Sequence, residues 1–131
     1  MEETKIHVTP ARQKRVLIVE DEAMVLYAEK HMVARLGCQV DMATNGDAAV
    51  RKMKELGGSE DTRYDLILMD INMPIMNGYS ASRAINDMTV KGLIFPTPII
   101  CLSAQDSLEH REKCIASGIS ERRILYLFHI L

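Results

Sequence analysis

The sequence lacks the features that mark secreted, membrane-spanning and nucleic-acid-binding proteins. Residues 1–15 are polar and contain no apolar core of a signal peptide. No apolar run approaches the length that spans a bilayer. The net charge of −2 gives no electrostatic reason to bind nucleic acid or an anionic membrane. We therefore expect a cytoplasmic protein with neither a nucleic-acid nor a membrane partner.

Cysteine is scarce as well. Cys38, Cys101 and Cys114 lie far apart and lack the short spacing that cysteine ligands of a metal show. An odd number of cysteines without a signal peptide indicates reduced thiols in an intracellular protein. The sequence therefore predicts neither a disulfide framework nor a cysteine-based metal site.

The remaining composition is that of one ordinary globular domain. The 131 residues are 47% hydrophobic and 26% charged, which suits a single core. We predict a flexible leader over residues 1–14 and one domain over residues 15–131. Apolar runs and helical periodicities alternate along this domain and predict a parallel sheet with helices on both faces. The predicted strands are 16–19, 39–43, 65–69, 99–102 and 124–131, and the predicted helices are about 23–36, 46–56, 79–88 and 107–117.

Local patterns predict which helix residues face inward and how the last helix begins. In the first helix the inward residues are predicted to be Val25, Ala28, Met32, Val33 and Leu36. In the last helix they are predicted to be Leu108, Cys114 and Ile115. Asp106, with Glu109 three residues later, resembles a capping box at the start of that helix.

Two of the predicted strands end in carboxylates. The first strand is followed by Glu20 and Asp21, and the third is followed by Asp70. Because the carboxyl ends of parallel strands lie at one edge of a sheet, we expect these acids to converge. Carboxylate oxygens gathered in this way suit a hard divalent cation such as Mg²⁺, and Ser103 after the fourth strand adds a hydroxyl. The alternative is that each acid caps the helix that follows it.

Three motifs carry a family resemblance. They are Val19-Glu20-Asp21-Glu22, the segment LMDINMPIMNG over residues 68–78, and Leu102-Ser103-Ala104. Together, and in this order, they resemble the receiver domain of two-component response regulators and hybrid histidine kinases, over about residues 15–121. The resemblance implies a flavodoxin-like α/β fold, with five parallel strands in the order 2-1-3-4-5 and helices on both faces.

The resemblance also implies a role for individual residues. Asp70 is the implied phosphoacceptor, which attacks the phosphorus of a phosphohistidine and becomes an acyl phosphate. The implied Mg²⁺ ligands are Asp21, Asp70 and the backbone carbonyl of Asn72, with Glu20 acting through a water molecule. Glu20 stands where many relatives have Asp, and its longer side chain still reaches the cation. Ser103 matches the switch hydroxyl that turns toward a phosphoryl oxygen.

The implied function is that of a signalling module in a phosphorelay and not of an enzyme, although self-catalysed phosphorylation and dephosphorylation are compatible with it. The implied partner is a histidine kinase or a histidine phosphotransfer protein. Two alternatives stay open. One is a degenerate receiver that acts as a non-phosphorylated interaction module. The other is a Mg²⁺-dependent phosphatase with an Asp nucleophile, which usually needs an acid–base Asp at the position of Asn72.

The end of the sequence departs from the family pattern. A receiver has a Lys and then a Pro at the end of its fifth strand, but these positions fall on Leu125 and Tyr126, and no Lys follows Lys113. The fifth helix is also missing, so we expect a domain truncated or altered after about residue 121. Truncation, splicing or a frameshift, a functional variant, and a scaffold that no longer signals all stay open as explanations. A strand over residues 124–131 without a covering helix is a bare edge, through which we expect self-association.

The missing Lys gives a kinetic prediction. In receivers this Lys forms a salt bridge to the phosphoryl group and couples phosphorylation to the protein surface. Without it we expect Mg²⁺ still to bind but phosphorylation of Asp70 to be slow or uncoupled from that surface. Incubation with a small-molecule phosphodonor and Mg²⁺, followed by intact-mass measurements over time, checks this expectation. Labelling at the rate of ordinary receivers would contradict it.

Overall fold

A computed structural model of the chain describes residues 12–73, 75–101 and 107–119. The predicted leader and the run over residues 124–131 lie outside these ranges, apart from residues 12–14. The longest helices in the described part have 13 residues, and none there is long and apolar enough to cross a membrane. The elements alternate in the order β1 (Arg15–Val19), α1 (Ala23–Arg35), β2 (Gln39–Ala43), α2 (Gly46–Leu56), β3 (Leu66–Met69), α3 (Gly78–Val90), β4 (Ile99–Cys101) and α4 (Leu108–Ala116).

The four described strands form one parallel sheet in the order β2-β1-β3-β4. This order confirms the predicted α/β flavodoxin-like fold, and the strand predicted to follow β4 lies outside the described residues. In the register of the central pair, Val19 of β1 lies opposite Met69 of β3. The carboxyl ends of β1 and β3 are therefore level, and the residues that follow them meet at the same edge.

The core consists of two apolar layers, one on each face of the sheet. Alternate strand residues point to opposite faces, so each strand contributes to both layers. One layer joins the sheet to α1 and contains Val16, Ile18, Leu26, Val33, Leu66, Leu68 and Ile100. The other joins the sheet to α2, α3 and α4 and contains Leu17, Val19, Ala49, Met53, Ile67, Met69, Ala81, Ile85 and Cys114.

The buried side of α1 differs from the predicted one. Its buried residues are Val33, as predicted, and Leu26, which was not predicted. Val25 and Met32 are instead each 37% exposed. Ala28 is also exposed, and Leu36 lies just past the helix and is 42% exposed. At 3.6 residues per turn the predicted stripe lies roughly a quarter turn from the observed contact line. Apolar periodicity found the side richest in apolar residues, but packing on β1 and β2 decides which side is buried.

The start of α4 also corrects a prediction. The N-cap is Ser107, whose side chain accepts a hydrogen bond of 3.1 Å from the backbone N–H of His110, so the capping box at Asp106 is wrong. Leu108 and Ile115 are exposed, and the buried residues of α4 are His110 and Cys114. His110 faces inward because its Nδ1 is hydrogen-bonded to the hydroxyl of Tyr79 on α3. The hydrogen bond between His110 and Tyr79 therefore occupies the buried side of α4, where the sequence predicted apolar packing by Leu108 and Ile115.

Gly78 brings the start of α3 against the end of β3. Its N–H donates to the carbonyl of Ile71 at 2.9 Å. A Cβ atom at this position would lie 2.9 Å from the Cα of Ile71 and even closer to the carbonyl oxygen of Asp70. Any side chain here would therefore push α3 away from the residue that follows β3.

This close approach predicts that Gly78→Ala destabilises the fold by about 1–3 kcal/mol, since overpacking costs that much in a well-packed site. Urea unfolding measures the change. Gly37→Ala is the control, because Gly37 has open space around its Cβ position. An Ala there meets no clash and costs only the left-handed backbone conformation at a φ of +84°, about 1–2 kcal/mol. A Gly78→Ala protein as stable as the original would contradict the prediction.

Candidate functional site

Three carboxylates meet at the carboxyl edge of the sheet. One oxygen from each of Glu20, Asp21 and Asp70 lies within 4.8 Å of the others. Glu20 is buried, with only 7% of its surface exposed, Asp70 is half-buried, and Asp21 is exposed. The group therefore has a buried side formed by Glu20 and an open side formed by Asp21.

The strand ladder fixes the two inner acids from the backbone. The N–H of Glu20 donates to the carbonyl of Ala43 at 3.0 Å, and the N–H of Asp70 donates to the carbonyl of Val19 at 2.9 Å. Each acid thus makes the last hydrogen bond of its strand. Because these bonds continue the sheet, the two carboxylates are held together by the fold itself and not by side-chain preference.

The helix-capping alternative does not account for these acids. The N-cap of α1 is Glu22, which makes no side-chain capping bond. The N-cap of α3 is Asn77, whose side chain accepts from the N–H of Ser80 at 2.9 Å. Glu20 and Asp70 instead accept local hydrogen bonds, from the N–H of Glu22 at 3.1 Å and the N–H of Asn72 at 3.3 Å.

Crowding and burial make the two inner acids, Glu20 and Asp70, resist ionisation. Burial, with the charge of Asp70 adding to it, raises the pKa of Glu20 to about 7. Burial also raises the pKa of Asp70, and Asp21 contributes in the same direction, while the N–H of Asn72 partly offsets the rise. A nearby cation would reverse these shifts, since it favours the ionised forms.

Glu29 is a fourth acid that the sequence did not indicate. It is half-buried on α1, between the buried positions Leu26 and Val33. Burial raises the pKa of Glu29 to about 7, and the charge of Asp70 contributes. An acid on the buried side of a helix is the signal that could have indicated Glu29. The side of α1 that the sequence predicted to be buried did not include Glu29.

The donor set fits a hard divalent cation. Three carboxylates with an open side supply oxygen ligands and leave room for water, as Mg²⁺ requires. The structure places Asn72 beside Asp70 through its N–H, and the ligation by its carbonyl stays a prediction. Ser103, the predicted switch hydroxyl, lies outside the described residues. Glu20, Asp21 and Asp70 are thus the predicted site residues that the structure brings together.

Comparison with known proteins gives the family. The profile of the response regulator receiver domain matches residues 16–122. Two-component response regulator ORR41 of Oryza sativa subsp. japonica is 39% identical over 109 residues, which cover 82% of this chain and 79% of that protein. The chain spans only 3% to 6% of the length of the hybrid signal transduction histidine kinases of Dictyostelium discoideum that it matches.

Solved structures agree with this result. The receiver domain of the histidine kinase CKI1 from Arabidopsis thaliana, complexed with Mg²⁺, has a TM-score of 0.77 and 31% identity, and the match covers 84% of this chain and 81% of that one. The receiver domain of Saccharomyces cerevisiae Ssk1, solved with the histidine phosphotransfer protein Ypd1, gives a TM-score of 0.76 at 24% identity, covering 88% and 84%, which shows the fold alone. With its fold, its acidic site and these matches, the chain belongs to the response regulator receiver domain family.

Proposed function

We propose that this chain accepts a phosphoryl group on Asp70 in a histidine-to-aspartate phosphorelay. The observation that carries the proposal is the group of Glu20, Asp21 and Asp70, with one oxygen of each within 4.8 Å of the others. The donor is a histidine kinase or a histidine phosphotransfer protein, as the family and the kinase relatives suggest. The chain acts as a signalling module that is modified once per signal, and not as an enzyme that turns over a substrate.

Asp70 has the position that a phosphoacceptor needs. Its carboxylate is half-buried at the end of β3 and is held by the N–H of Asn72. In the transfer, an oxygen of Asp70 forms a P–O bond while the P–N bond to the donor imidazole breaks. The electron pair of that bond stays on the imidazole nitrogen, which takes up a proton from solvent. The carboxylate reacts in its ionised form, so the raised pKa of Asp70 makes neutralisation of its neighbours important.

Mg²⁺ is the cofactor that the donor set suggests. Asp21, Asp70 and the carbonyl of Asn72 would hold it, with Glu20 bound through water on the buried side. A bound Mg²⁺ supplies positive charge that offsets the charge of the phosphoryl oxygens. The residues of the chain position the acceptor oxygen, and the bound cation would favour the ionised forms of the acids beside it.

The proposal predicts that Asp70 carries the label. Acetyl phosphate with Mg²⁺ should add one phosphoryl group to the protein, and Asp70→Asn should abolish the addition because the amide is not a nucleophile of this kind. Intact-mass spectrometry measures it. Asp87→Asn is the matched control, since Asp87 is an exposed acid on α3 that is ion-paired to Lys91. Labelling that persists in Asp70→Asn would refute the assignment.

The raised pKa of Glu20 predicts how Mg²⁺ affinity varies with pH. Below pH 7 the buried carboxyl of Glu20 holds a proton, which a cation must displace. Above pH 7 the ionised acids repel one another, and a bound cation reduces this repulsion. The Kd for Mg²⁺ should therefore fall as pH rises from 5.5 to 7.5, by up to about tenfold per pH unit for one linked proton. Isothermal titration calorimetry in buffers of different ionisation enthalpy measures the Kd and the released protons.

Glu20→Gln is the control for this dependence. The amide cannot titrate, so this variant should bind Mg²⁺ more weakly at pH 7.5 and lose part of its pH dependence. If the Kd of the original protein for Mg²⁺ stays constant from pH 5.5 to 7.5, deprotonation of Glu20 is not linked to metal binding.

A further inference from the structure

Ile75 combines two unfavourable features. Its φ is +71°, and it is the single non-glycine residue with a positive φ in the described part of the chain. This backbone region costs an L-residue about 1–2 kcal/mol, and a β-branched residue is a genuine outlier there. Its side chain is also 86% exposed, so it gains little burial against the described part of the chain. The fold therefore places an apolar side chain in solvent at a conformational cost.

The flanking residues impose this conformation. Met73 is buried in the core, and Met76 packs against the same core. The backbone of Met76 lies so close to Gly46 that a Cβ there would come within 2.5 Å of the Met76 carbonyl oxygen. Asn77 then caps α3. With both methionines fixed inward, Ile75 is held outward in one conformation, which is how strain is retained at functional sites.

The position of Ile75 relative to the acids is the second observation. The two most exposed large apolar side chains among the described residues are Ile75 and Met24, at 86% and 82%. Met24 follows Asp21 by three residues, in the first turn of α1, and Ile75 follows Asp70 by five. The two chain segments that build the acidic group therefore each carry one exposed apolar side chain.

We propose that Ile75 is a specificity residue for protein phosphodonors: it is a preformed apolar contact for the surface around the donor's phosphohistidine. This inference rests on the proposed function. Transfer requires the phosphorus within about 3–3.5 Å of the Asp70 oxygen, so a protein donor must cover the segments that follow Asp21 and Asp70. A small phosphodonor reaches Asp70 without touching Ile75. The donor surface that fits is apolar beside its phosphohistidine.

The test compares two donors on one set of variants. The donors are acetyl phosphate and phosphorylated Ypd1, and the readout is kcat/KM and KM for labelling of Asp70. Ile75→Asn removes the apolar side chain and suits a positive φ, so the protein should stay folded with a thermal midpoint at or above that of the original. We expect kcat/KM with Ypd1 to fall about tenfold or more, mainly through KM, as loss of one buried aliphatic anchor implies. Labelling by acetyl phosphate should stay within about twofold.

Two controls separate docking from structure. Ile75→Leu keeps an apolar side chain on the same backbone and should retain most of the rate with Ypd1. Val90→Asn removes a side chain that is 78% exposed at the other end of α3 and should change neither donor. Equal rates for Ile75→Asn and the original protein with Ypd1 would overturn the inference. An equal loss of rate with both donors would also overturn it, because Ile75 would then act on the geometry of the phosphorylation site and not on docking of the donor.

The failure of the proposed function gives a different result. If neither donor labels Asp70 in the original protein, the phosphoacceptor role itself is wrong. If acetyl phosphate labels Asp70 and phosphorylated Ypd1 does not, the phosphoacceptor role stands, and a contact preformed for phosphohistidine proteins is overturned.

Discussion

Repulsion between carboxylates that the backbone holds together is the constraint on which the site depends. Two unit charges 4.8 Å apart repel by about 3 kcal/mol at an effective dielectric constant of about 20. The fold does not relieve this repulsion by separating Glu20 from Asp70, because both make the last hydrogen bonds of neighbouring strands. A proton on Glu20 or a bound cation can relieve this repulsion. The charge of the site therefore depends on both pH and metal concentration.

The same edge of the sheet holds the parts that a phosphoacceptor needs and the part that we assign to its partner. Gly78 lets α3 start directly against Asp70, so the segment between them is short and tightly held. Met73 and Met76 fix that segment to the core, and Ile75, which directly precedes Met76, is held outward. The proposed acceptor Asp70, the predicted ligand Asn72 and the proposed donor contact Ile75 therefore all lie in one short connection between β3 and α3.

Long-range features of this structure could be predicted from short sequence signals. Apolar runs that end in Glu20 and Asp70 predicted both the parallel sheet and the meeting of the acids, because strand order and register leave few alternatives. The buried side of α1, the cap at Ser107 and the proximity of Glu29 could not be predicted. Each depends on how a helix is rotated or begun once it packs. The left-handed backbone of Ile75 is likewise set by its anchored neighbours, and its own residue type argues against it.

A paramagnetic titration tests most directly whether the three carboxylates form one cation site. Mn²⁺ is added in small steps to ¹⁵N-labelled protein while the amide signals are recorded. The account predicts that signals of Glu20, Asp21 and Asp70 broaden first and recover when excess Mg²⁺ is added. Broadening that begins at other acids, or that Mg²⁺ does not reverse, would contradict it.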